Sequence, residues 1–287
     1  MTAAMRLVLA ASESLNAGAC DRLIARLAEE RASNATEVII DLQAASYIDP
    51  YGAACLSLIA RQVVGRGQQL TCILPTQPQA QRSAVQTGLT RALRPLAELR
   101  NLPADALTHA RSSSLPLSPI RSRSDVQGVL SYLVSLAQSR LGFDAGDVLD
   151  ATKVVSELSY NVVDHSGTEG VVVAQLGQDR HGRRFVALAV VDGGLGIRAS
   201  LAKRYPEAAT WRHGEAIERA LGGLSSRPSG GGAGLRSVDA VVRRYTGRLA
   251  IRSGDDRLYV SADQQPRTLS GAFFPGTQVG ISFSQRV

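Results

Sequence analysis

Hydrophobic positions in the first hundred residues fall into two alternating patterns. Short apolar runs at 6–10, 38–40 and 70–74 are separated by segments, 17–30 and 53–64, in which apolar residues recur every three or four positions. Side chains alternate across a strand but return to the same helix face every three to four residues, so the runs predict strands and the periodic segments helices. A further amphipathic stretch at 84–99, with Val85, Leu89, Leu93, Leu96 and Leu99 on one face, predicts a closing helix. Alternation of this kind predicts an α/β domain over 1–102.

The pattern then breaks. Residues 101–124 bring Pro103, Ser112, Ser113, Ser114, Pro116, Pro119 and several arginines, which predicts a linker at 103–122. Beyond it, 126–141 and 147–164 read as helices, the second on Val148, Ala151, Val155, Leu158 and Val162. Strands are expected at 171–176 and 184–192. A long irregular and helical stretch follows, then a glycine run, a helix at 235–245, and strands at 247–252, 257–261 and 277–283. Helices early and a strand meander late predict an α/β sandwich over 123–287, with no internal repeat.

Composition narrows the classes without naming a function. A chain of 287 residues with 44% hydrophobic content suits two soluble domains. No apolar run approaches the roughly 20 residues needed to cross a bilayer. Even 187–191 ends at Asp192, and Ser12, Glu13 and Ser14 interrupt the apolar N-terminal run before a signal core could form. A cytoplasmic protein with no membrane partner is expected. Cys20, Cys55 and Cys72 lack paired spacing and nearby histidines, so they read as small buried hydrophobes. The formal charge of +7 is carried by scattered arginines, Lys153 and Lys203 being the only lysines. No basic stripe interleaved with aromatics appears, so nucleic acid is not expected as a partner.

The candidate chemistry lies in the second half. Glu157 and Asn161 are four apart and share a helix face with Lys153 and His165. A carboxylate and an amide at the rim of a core suit a site that holds a metal and orients a nucleophile, and the asparagine oxygen is a good hard ligand for Mg²⁺. The same spacing also suits a solvated face with Lys153 paired to Glu157. Next, the apolar run 186–191 leads into Asp192-Gly193-Gly194-Leu195-Gly196-Ile197. A carboxylate there would accept a hydrogen bond from an amine donor such as that of adenine, whereas guanine presents an oxygen. A competing reading is the dinucleotide fingerprint, which residues 194–199 match as G-x-G-x-x-A. It wants an acid ending a second strand about 20 residues on, and Glu215 and Glu218 sit in a helical pattern instead. Finally, the loop 229–234 opens into a helix, where free N–H groups reached across glycines make an anion site. No lysine followed by Ser or Thr completes a Walker A pattern.

In order, Glu157-x-x-x-Asn161, Asp192-x-Gly194-x-Gly196, Gly230-x-Gly232-x-Gly234 and Gly276-Thr277 resemble the GHKL ATPase superfamily. That family includes DNA gyrase, the mismatch-repair ATPase, histidine kinases and anti-sigma-factor serine kinases. The resemblance spans 123–287 and implies a Bergerat-type α/β sandwich that binds ATP and Mg²⁺. It implies Glu157 as general base, Asn161 as the Mg²⁺ ligand and Asp192 as the adenine contact. Gly194 and Gly196, with Ile197, would form the turn beside the base, Gly230, Gly232 and Gly234, with Leu235, would hold the phosphates, and Thr277 would support the adenine. Residues 197–229 would be the ATP lid, with a short helix near 216–221. Its Arg198, Arg204, Arg212 and Arg227 could reach phosphates or an acidic partner. In the first half, the run 38–42 and Tyr47-Ile48-Asp49-Pro50-Tyr51-Gly52 resemble the strand and switch loop of STAS domains. Tyr51 stands where that family commonly has a phosphorylatable serine, which implies a docking module rather than a self-phosphorylated one. The expected function is ATP-gated control of a regulatory partner of STAS or sigma-factor type, by serine phosphorylation or lid closure. A plain ATPase or binding switch is the alternative, and a homodimer is left open.

Overall fold

The computed structural model describes residues 6–10, 14–29, 35–102, 114–141, 144–178, 182–226 and 234–284. The chain divides into two compact units, Met1–Ser112 and Ser113–Val287.

In the first unit the elements run β1 (Arg6–Ala10), β2 (Ser14–Leu15), α1 (Ala17–Glu29), β3 (Glu37–Asp41), β4 (Tyr47–Ile48), α2 (Pro50–Gly65), β5 (Gln69–Ile73), α3 (Pro78–Gln86), α4 (Leu89–Leu93) and β6 (Glu98–Arg100). Strands β1, β3, β5 and β6 form a parallel sheet in that order, and β2 pairs with β4. Helix α2 starts where it does because Asp49 accepts a hydrogen bond from the Gly52 N–H at 2.6 Å and Pro50 occupies the first turn. Its residues 50–60 are buried throughout, so it reads as apolar on every side rather than amphipathic. Burial pushes the Asp49 carboxyl up to about 6, against the pull of the Gly52 and Tyr51 backbone hydrogen bonds. Tyr51 is itself buried, and that burial, with Cys55, Asp21 and Cys20 close by, holds its phenol well above the usual range. The three cysteines are free and buried.

The helix expected at 84–99 is instead two helices and a strand. Gly88 takes a left-handed conformation (φ +74°) that ends the first helical run, and 98–100 are drawn into the sheet beside β5. Sheet pairing, a tertiary effect, outweighs the helical period there.

The second unit continues with β7 (Ser114–Ile120), α5 (Arg123–Leu141), α6 (Ala145–Asn161), a π-helical turn (Val162–Ser166), β8 (Gly170–Gln178), β9 (Arg184–Asp192), α7 (Gly196–Ala202), a 3-10 turn (Pro206–Thr210), α8 (His213–Leu221), α9 (Gly234–Arg244), β10 (Arg248–Ser261) and β11 (Gln264–Ser284). The sheet order is β10-β11-β9-β8-β7, antiparallel at every pairing. One face carries Val172, Leu188, Val190, Ile251, Val279 and Ile281, which pack with Val155 and Leu158 of α6 and Val238 and Val242 of α9. Burying each such side chain contributes about 1.5–3 kcal/mol. The mixed α/β class, with helices layered on a sheet, is as expected.

Two boundaries differ from the sequence reading. Part of the stretch read as linker is strand β7, and its Pro116 and Pro119 fit because β7 is a sheet edge, where a missing N–H breaks no ladder bond. The separate strands expected at 247–252 and 257–261 are one strand, β10, with a register irregularity at Gly254 (φ +68°). The dinucleotide reading fails here: β9 and its neighbours are antiparallel, and the described residues hold no parallel βαβ unit in this sheet.

Helices α6 and α9 are locked end to end. The Tyr245 hydroxyl lies 2.7 Å from Asp147 Oδ1 and 3.0 Å from Asp150 Oδ2, and Arg244 Nη1 donates to Asp150 Oδ2 at 2.7 Å. Burial and the two carboxylates raise the Tyr245 phenol, so it stays protonated. Because this lock joins the end of α9 to the start of α6, it sets the start of α9 against the end of α6. Glu157 and Asn161 lie there.

Candidate functional site

Strand β9 is apolar from Val186 to Val191 because it is central in the sheet, and it ends on Asp192, only 5% exposed. Burial lifts the Asp192 carboxyl to about 6, while hydrogen bonds from the Gly194 N–H, at 2.9 Å, and the Thr277 N–H pull it back. The chain then turns sharply. Leu195 N–H donates to the Ser166 carbonyl at 2.9 Å, and a Cβ on Gly194 would sit 2.0 Å from that oxygen. Gly276 closes the turn from β11 with φ +80°, and a Cβ there would meet the Asp192 carbonyl at 2.1 Å. Gly194→Ala is therefore expected to destabilise the fold by about 2–3 kcal/mol, since backbone must move on both sides. Gly193→Ala, where a Cβ meets nothing within 4 Å, is the control and should stay within about 0.5 kcal/mol of the parent in denaturant unfolding.

Between this turn, the end of α6 and the start of α9 lies a cleft of about 800 Å³, open solvent at its mouth included. It is lined by Asn161, Asp192, Gly196, Ile197, Gly234, Leu235 and Thr277, with Leu158, Val190 and Val279 as apolar walls. Glu157 and Gly194 do not line it. Glu157 lies against the first residue of α9, its Oε2 3.2 Å from where a Cβ on Gly234 would be, with Asn161 Oδ1 at 3.8 Å from the same point. Gly194 packs under the floor on Ser166. Gly230 and Gly232 lie outside the described residues.

His165 and its neighbours extend the site beyond the sequence reading. The π-helical turn carries His165 into the cleft wall, its Nδ1 3.3 Å from Ser226 Oγ, which lies 3.2 Å from Ser200 Oγ. π turns of this kind recur at functional sites. The serines carry no spacing signal; only the fold brings 165, 200 and 226 together. The described part of the segment expected to be a lid, 197–226, holds more regular structure than the one short helix expected near 216–221. It holds α7, the 3-10 turn and α8 around Leu201, Ala208, Trp211, Ala216 and Ala220. Its arginines are engaged within the domain: Arg198 Nη1 donates to the Trp211 carbonyl at 3.1 Å, Arg212 Nη2 to Ser270 Oγ at 2.9 Å, and Arg219 Nε to Glu215 Oε1 at 3.1 Å. Arg204 lies over the Tyr205 ring at 5.5 Å, and Arg227 is outside the described residues.

A cleft with apolar walls and one buried carboxylate, Asp192, suits a base with an exocyclic amine. A carboxylate and an amide beside a helix start fit a metal-bound phosphate chain. Among the described residues no group of three His, Cys, Asp or Glu gathers as an all-protein metal cage, and no helix is long and apolar enough to cross a membrane.

Residues 146–284 match the family of histidine kinase-, DNA gyrase B- and HSP90-like ATPases. No significant match was found among curated proteins or solved structures.

Proposed function

The C-terminal region is a GHKL-type ATPase domain, and we propose that the whole chain is an ATP-binding regulatory protein that controls a protein partner through that cleft. The carrying observation is convergence: Asn161 from α6, Asp192 from β9, Gly234 from α9 and Thr277 from β11 line one cavity.

In this reading the adenine amine donates to Asp192, Thr277 supports the base, and the start of α9 presents its N–H groups to the phosphates. Asn161 is the protein ligand for Mg²⁺, which would offset phosphate charge as transfer proceeds. Glu157 takes the proton from an attacking hydroxyl while the bond from the γ-phosphorus to ADP breaks. A serine of the partner as acceptor makes the chain a kinase, and water makes it an ATPase. The N-terminal unit is the proposed docking module, since its tyrosine at the switch-loop position is buried and offers no hydroxyl for transfer.

Purified protein incubated with γ-labelled ATP, alone and with cell lysate, is expected to bind the nucleotide and pass the label to a partner protein or to free phosphate. A chain that captures no ATP in this assay, nor in photo-crosslinking with an azido-adenine analogue, would remove the reading.

A further inference from the structure

Beside the cleft, two buried polar side chains outside its lining hold the corner from which Asp192 and Thr277 emerge. Gln278 is fully buried, and its Nε2 donates to the Asp192 main-chain carbonyl at 3.0 Å and to the Pro275 carbonyl at 2.9 Å. Ser253 is 1% exposed, and its Oγ donates to the Gly276 carbonyl at 3.2 Å while accepting the Ile197 N–H at 2.9 Å. The register makes this possible: Gln278 faces Val191, one residue before Asp192, and Ser253 faces Thr277.

We propose that Gln278 and Ser253 are positioning residues for base recognition, a clamp that fixes the Asp192 carboxylate against the Thr277 side of the cleft. The inference rests on the ATP reading of the cleft and adds the source of its base selectivity.

Three observations carry it. The two acceptors of the Gln278 amide, the carbonyls of Asp192 and Pro275, belong to different strands, β9 and β11. Gly276 packs its Cα so tightly on Asp192 that no side chain fits between them, so the amide and the glycine together set one separation. Gln278 Oε1 has no hydrogen-bond partner among the described residues, so what the side chain supplies at this corner is the pair of bonds its amide donates. An apolar residue of similar size would fill the space without supplying that pair. Ser253 extends the same grip to Ile197, the second residue of α7, so the base corner and the start of the proposed lid share one hydroxyl.

A discriminating hydrogen bond works only if its acceptor is held where the donor arrives, because a carboxylate free to swing serves a carbonyl-bearing base through water almost as well. Loosening the clamp should therefore lower selectivity through Asp192 and nowhere else.

The test is a double-mutant cycle on the full-length chain, with ATP and GTP dissociation constants from calorimetry for the parent, Gln278→Met, Asp192→Asn and the double variant. Thermal unfolding confirms that each is folded. Gln278→Met is expected to lower the preference for ATP over GTP roughly tenfold, as the loss of two donated bonds implies. In the Asp192→Asn background it should add no more than about twofold, since it acts through that residue. If Gln278→Met does not fold, Ser253→Ala in the same cycle decides on the same criteria. Unchanged selectivity, or losses that simply add, would overturn the clamp while leaving the ATP reading in place. A parent with no preference for ATP would overturn the base assignment and the clamp with it.

Discussion

Asp192→Asn should bind ATP about ten- to a hundredfold more weakly than the parent, because a charge-assisted hydrogen bond becomes a neutral one at a buried position. The same variant should be more stable without nucleotide at neutral pH. Burial raises this carboxyl from its ordinary 3.8 to about 6. A carboxyl whose folded value lies above its unfolded one contributes its full stability below pH 4 and loses it as pH rises through 6. Two pH units correspond to about 3 kcal/mol, which the folded parent forgoes at pH 7 and an asparagine does not. Denaturant unfolding of the two proteins between pH 4 and pH 8 should therefore diverge, the parent falling relative to the variant across pH 4–6. ATP affinity should run the opposite way, the parent gaining over the variant as its carboxyl ionises, with the variant correcting for titration of the nucleotide itself. Opposite signs for stability and binding identify a buried acid kept for a ligand. A variant that binds ATP as well as the parent, or is less stable at pH 7, would sink the assignment.

Glu157→Gln should separate chemistry from binding, holding ATP within a fewfold of the parent while turnover falls by about 10²- to 10⁴-fold, the usual contribution of a general base. Glutamine keeps the volume and the acceptor oxygen, so packing against Gly234 survives and only proton acceptance is lost. Asn161→Ala should instead lose the Mg²⁺ dependence of ATP binding. The competing role for Glu157 is to satisfy the exposed N–H groups at the start of α9, which its proximity to Gly234 permits. Steady-state phosphate release and equilibrium unfolding divide the two: a glutamine variant with parental turnover and lowered stability would make Glu157 a helix-end partner and leave the domain without its proposed base.

Much of this site was legible because it is built from local signals. An apolar run ending in aspartate and glycines can be read directly, since a strand buried on both sides has no polar residue until it leaves the sheet. Glu157 and Asn161 could be paired because helical spacing alone puts them on one face. The class of the second half, helices before a strand meander, followed from period and length.

What the chain order could not show is which distant segments meet. Pro116 and Pro119 looked like linker, and only the sheet's edge gives them a strand to occupy. Leu96 and Leu99 continued a helical stripe until pairing with β5 drew 98–100 into the sheet. Ser253 and Gln278 look like the outward positions of ordinary alternating strands, yet both are buried, and their partners lie up to 86 residues away. The sequence by itself determined the elements and the chemistry each could bring, because those depend on a residue and its neighbours within a turn or two. The tertiary structure alone decided the separation of Asp192 from Thr277, the meeting of His165, Ser200 and Ser226, and the seating of Gly234 on Glu157. Those are long-range contacts, set by the register of an antiparallel sheet and the Tyr245 lock between two helices, and no local period encodes them.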